Sequence, residues 1–264
     1  MKRSYPTELV YQLFALLLAF IVVHAVYVTI VRPEATQFLQ QEAINMQADP
    51  LYVQQRSFFV VIKDYEQEAC LVLMLWALAI LGYKGVATWR QQRLLDRDLL
   101  RLPDNLPIGP EDTRELASRV RSLPDQEQDF LLPRSLLTAI ERFAATRNVQ
   151  DVSTAARDTC ESEGARLESE LSIIRYIAWA IPSVGFIGTV RGIGDALVQA
   201  HRAVEGDITG VTESLGVAFN STFIALVISI VLMFIIHQLQ LMQERLVLDT
   251  ERYVDHAFVR RLKS

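Results

Sequence analysis

AIPSVGFIGTVRGIGDAL, residues 180–197, closes a long apolar run. It also carries Pro182, four glycines, Thr189, Arg191 and Asp195. These residue types weaken a helix or cost free energy in lipid. Whether the stretch is a membrane span decides the fold. Counted from Ile173 to Leu197, the run exceeds the roughly 20 residues that cross about 30 Å of hydrocarbon. Three further runs have similar character: about 9–31, 69–86 and 215–237. The second is the shortest. Apolar residues make up 51% of the 264 and are bunched rather than spread, and the mean hydropathy is positive. No stretch reads as a strand, and runs of this length cross lipid as helices. The expected fold is all-α: a polytopic membrane protein with four transmembrane helices and cytoplasmic helical extensions.

Charge orients the spans. Lys2 and Arg3 precede the first; Arg90, Arg93, Arg97 and Arg101 follow the second; Arg260, Arg261 and Lys263 close the chain. The positive-inside bias then places both termini and residues 90–170 in the cytoplasm. Residues 32–68, with six acids against three bases, form an extracytoplasmic loop, and 198–214 a short outer turn. The expected divisions are a transmembrane hairpin over 1–89, a cytoplasmic helical region over 90–170, a channel-type helix pair over 171–240, and an amphipathic cytoplasmic helix over 241–264. The first run is too long for the apolar core of a cleaved signal. Residues 101–112, rich in proline and glycine, read as a linker.

A net charge of −5 argues against a nucleic-acid partner. Cys70 and Cys160 fall in a span and in the cytoplasmic region, so no disulfide joins them. The four histidines are scattered, and no metal-ligand spacing occurs. There is no nucleophile beside a base and no phosphate loop, since no strand precedes GIGDAL. No enzyme, metal or cofactor is expected.

At 3.6 residues per turn, Ala178, Pro182, Gly185, Thr189, Gly192 and Ala196 share one narrow stripe of the third span. Ser214, Ala218, Ser221, Thr222, Ala225 and Ser229 share one of the fourth. Each span thus has a small-residue face with a central threonine. Such faces let helix backbones approach closely in lipid, where no hydrophobic force draws helices together. They pack the two spans on each other, pack one subunit on another, or line a narrow space holding water or a partner helix. In this last reading Thr189 and Thr222 supply the ion pathway, and the small residues face the pore or partner. Arg191 and Asp195, four apart, suit an ion pair at the outer mouth. With no acid evident near mid-depth, a conducting version needs a titrating carboxylate from a partner.

IPSVGFIGTVRGIGDAL resembles the P-x-x-G-x-x-G-T-V-x-G motif of the MotA/TolQ/ExbB proton channel family. LGVAFNSTFIALVISIV is similar to the next helix of that family. The resemblance covers the third and fourth spans and the helix entering the third, but not residues 1–150. It implies a homo-oligomer, a pentamer, around two copies of a single-span MotB/TolR/ExbD-like partner whose aspartate sits in the membrane. It implies a bacterial inner membrane location and a stator-like motor complex, in which proton or sodium flow does mechanical work. The family's pore threonines fall on Thr189 and Thr222, its glycines on Gly185, Gly188 and Gly192. Arg191, Ala225 and Asn220 depart from the usual pattern. The alternative is a non-conducting membrane scaffold that grips a partner helix.

Overall fold

The computed structural model describes residues 5–48, 52, 55, 57–100 and 107–263. Lys2, Arg3 and the first half of the expected linker, with Arg101, lie outside them. The described chain is helical, with four helices long and apolar enough to cross a membrane. Helices α1 (Tyr5–Val26) and α2 (Arg32–Ala48) are joined by a π-helical turn, Tyr27–Val31. After α3 (Phe58–Ile62), α4 runs from Tyr65 to Leu95. Then come α5 (Thr113–Arg121), α6 (Asp125–Gln128), α7 (Leu131–Thr146) and α8 (Val149–Glu170). Leu171 alone separates α8 from α9 (Ser172–Val198). A short α10 (Ala200–Val204) precedes α11 (Thr209–Ala257). The one extended pairing among the described residues is a single bridge between Ile108 and Leu262.

The stretch 32–68, whose sequence has helical character, is largely helix. The helix that holds the first apolar run does not stop at Val31 but continues as α2, which is largely polar. Pro33 explains the π turn that links them. Proline brings no N–H to the carbonyl four residues back and crowds it. The backbone takes up the misfit just before, where the N–H of Arg32 reaches the carbonyl of Tyr27, five residues back.

The chain divides into two compact units. One comprises residues up to Leu81 together with Ile173–Ile236. Here α1 and α4 are tied by Trp76 Nε1 donating to the Gln12 carbonyl at 2.9 Å and Tyr11 Oη donating to that of Ala79 at 3.1 Å. A cluster of Ala19, Val23, Tyr27, Val31, Ile62 and Val72 fills the space between them.

The other unit comprises Gly82–Ser172 and His237–Ser264. Its core gathers Leu116, Val120, Leu132, Leu136, Ile140, Phe143, Val254 and Phe258. Phe143 and Phe258 meet edge to face at 6.3 Å. The apolar face of α7, with Leu136, Ile140 and Phe143, is buried in this core, and the last part of α11 continues the fourth span. Lys84, 5% exposed, bonds Glu170 at 2.9 Å, and buried Glu163 takes Arg134 and Arg166.

Candidate functional site

Helices α9 and α11 meet along their small faces. A methyl group added at Gly192 would lie 2.7 Å from the Ser214 carbonyl oxygen and 2.8 Å from Ala218 Cβ. One added at Gly188 would lie 2.5 Å from Ser221 Cβ, and one at Gly185 would press on Ala225 and the Ser221 carbonyl. Only glycine allows this approach. Ala178, Ala196, Ala218 and Ala225 are buried in the same seam, as are Gly185 and Gly192. Within the chain, the small size of these six residues brings two backbones together. Pro182 and Ser229 lie half-buried at the edge of the seam.

Hydroxyl groups complete the contact. Pro182 lacks the N–H that would have bonded the Ala178 carbonyl, and Ser229 Oγ on α11 donates to that oxygen at 3.1 Å. Thr189 Oγ1 lies 3.1 Å from the Ala218 carbonyl oxygen, and Thr222 Oγ1 lies 3.2 Å from that of Gly185. The two threonine hydroxyls also bond each other. Each has one proton, so not all of these contacts are satisfied at once. Both threonines are half-buried. Beside them the exposed face is apolar, with Phe186, Val190, Phe219, Phe223 and Leu226. The sequence-predicted pair is thus brought together as a hydroxyl doublet at the edge of a close helix crossing.

Arg191 does not bond Asp195. Both its Nε and an Nη donate to Glu66 of α4, each at 2.8 Å. Glu66 offers both carboxylate oxygens to the planar guanidinium in a bidentate fork. Beside Glu66, buried Gln67 donates to the Val61 carbonyl at 3.1 Å and to Ser221 Oγ at 3.4 Å. Glu68 holds His24 at 2.7 Å and also Arg32. The first turn of α4 therefore brings one acid, Glu66, and one amide, Gln67, to the helix pair, and sequence reasoning missed this role. The signal was the triplet Glu66, Gln67, Glu68 at the edge of an apolar run.

The Glu66–Arg191 fork yields a prediction. Arg191→Glu alone places two carboxylates together and should lower the melting temperature of the detergent-purified protein. Adding Glu66→Arg should restore most of the loss, since the coupling of a close pair shows only in the double mutant. No recovery would mean that the fork contributes nothing to stability.

Long apolar helices, a seam of small residues and hydroxyls closing backbone carbonyls together define a multi-pass helical membrane protein. Residues 127–252 match the model of the MotA/TolQ/ExbB proton channel family. That family is a channel family rather than an enzyme family. The match takes in α7, α8, α9 and most of α11, and reaches further back than the limit of 150 expected from the motifs. A comparison with curated proteins finds no match.

Proposed function

We propose that the chain is the ion-conducting subunit of a stator-like motor complex in a bacterial inner membrane. Protons, or sodium ions, pass the Thr189–Thr222 doublet to a carboxylate carried by a single-span partner, and the passage does mechanical work. The doublet is the observation that carries this reading. Its hydroxyls sit half-exposed in an apolar setting, within the stretch matched by the channel family. Their hydrogen bonds go to each other and to backbone carbonyls, none to a carboxylate of the described residues. Hydroxyls pass or orient protons but do not store charge near neutral pH, so the titrating group comes from another chain.

The same reading supplies the assembly: a homopentamer around two copies of a MotB/TolR/ExbD-like helix bearing an aspartate. Arg90, Arg93 and Arg97 favour a cytoplasmic end for α4. The test is reconstitution. The chain, co-expressed with a single-span protein from the neighbouring reading frame, is purified as a complex and placed in liposomes with a pH-sensitive dye inside. An imposed gradient should move protons faster than in empty liposomes, and a partner Asp→Asn substitution should stop the excess. An intact complex that moves neither protons nor sodium ions would make the chain a scaffold gripping its partner.

A further inference from the structure

Among the described residues, three side-chain polar atoms are buried without a hydrogen-bond partner: Tyr27 Oη, Asp64 Oδ2 and Gln67 Oε1. They lie in one corner of the first unit. Tyr27 opens the π turn and shares a buried cluster with Ile62, against which Val61 and Ile224 pack. Asp64 immediately precedes α4, and Gln67 stands three residues further on, on the same helix face. Tyr27 and Gln67 are 1% and 0% exposed. The amide of Gln67 cannot be turned to relieve its oxygen, because the Val61 carbonyl only accepts and so requires the Nε2 end.

A buried polar atom left unpaired costs about 1–3 kcal/mol, and native proteins pair nearly all such atoms with protein or water. A cluster of three points to water. The chemistry matches: the phenol donates, and the carboxylate and amide oxygens accept. Charge balance favours water over a bound cation. Glu68 is taken by Arg32 and His24, Glu66 by Arg191, and Asp64 has Lys63 Nζ 3.6 Å from its other oxygen. Each acid in this corner thus has its own base.

The corner also leads somewhere. Gln67 bonds Ser221, which is 1% exposed and adjoins Thr222 in the chain. Thr222 bonds Thr189. We infer that water held by Tyr27, Asp64 and Gln67 forms a hydrated limb inside the subunit that hands protons through Ser221 to the threonine doublet. This rests on the conducting role proposed above. The limb explains why a glutamine and a serine are buried between apolar helices, where alanine or leucine would pack at less polar cost.

The purified full complex tests this by two readouts. In X-ray hydroxyl-radical footprinting, water bound beside a buried ring labels it. Tyr27 should label although it is buried, and the label should vanish in Gln67→Leu. In liposomes, Gln67→Leu and Ser221→Ala should each lower proton flux at least about tenfold while the complex keeps its size. If Gln67→Leu fails to assemble, Ser221→Ala, which removes only a hydroxyl, decides the flux question. Absence of Tyr27 label in the unaltered complex overturns the inference, whatever the flux. Label present with flux unchanged in Ser221→Ala also overturns it, since the water is then structural, and leaves the conducting role standing. An unaltered complex that conducts nothing removes both.

Discussion

Valine at Thr189 or Thr222 is expected to cut proton flux through the reconstituted complex by about tenfold to a hundredfold, a barrier increase of about 1.4–2.8 kcal/mol. Valine keeps the shape of threonine and removes the hydroxyl. The stability cost should be small by comparison, because hydrogen bonds between membrane helices average only about 0.6 kcal/mol in double-mutant cycles. The prediction is therefore a split: flux falls steeply while melting temperature and subunit number hardly move. The two hydroxyls bond each other, so their effects should not add. Once one is gone, removing the other should cost little more, as expected of groups acting as a unit. Serine at either position keeps an Oγ and should retain most of the flux. Equal flux from the double valine variant and the unaltered protein would end the assignment of the doublet to the ion path.

A larger side chain at Gly192 should have the strongest structural effect in the channel unit. Its Cβ would meet backbone atoms of α11, the Ser214 carbonyl oxygen at 2.7 Å and the Ala218 nitrogen at 2.8 Å. Backbone cannot rotate aside as a side-chain tip can, so α9 and α11 must separate. Overpacking of this kind typically costs about 1–3 kcal/mol. Gly192→Leu should exceed that and also part Thr189 from Thr222, losing stability and flux together. Gly194, two residues on, is the internal control. A Cβ there meets nothing within 4 Å, so Gly194→Ala should be harmless, or stabilising by up to about 1 kcal/mol through helix propensity. Thermal melts of the three proteins in the same detergent make the comparison. Equal melting temperatures for Gly192→Leu and Gly194→Ala would mean that the helices do not cross closely at this seam.

The two substitutions also separate the roles of the small stripe. Close approach is a matter of volume and is lost with glycine. Ion handling, in the role proposed for the doublet, is a matter of hydroxyl chemistry and is lost with threonine. A variant that loses flux through misplacement loses stability as well, whereas one that loses flux through chemistry does not.

Helical wheels already grouped Thr189 with Gly185 and Gly192, and Thr222 with Ala218 and Ala225, because side-chain direction on one helix follows from spacing alone. The apolar runs likewise settled that the chain is helical and crosses lipid, since backbone polar groups in hydrocarbon have few ways to be satisfied. Spacing could not say what each stripe touches. Contact within the chain, with a neighbour or with a partner all demand small residues, and only the packing of α9 on α11 selected the first. Arg191 shows the same limit. Its neighbour Asp195 was visible four residues along the helix, but Glu66, 125 positions away, became its partner only when α4 packed beside α9. Ser229 closing the carbonyl opened by Pro182, and Gln67 reaching Ser221, belong to this kind too. Pattern along a single helix is local geometry, whereas charge pairing and the closing of freed carbonyls depend on which helices lie side by side.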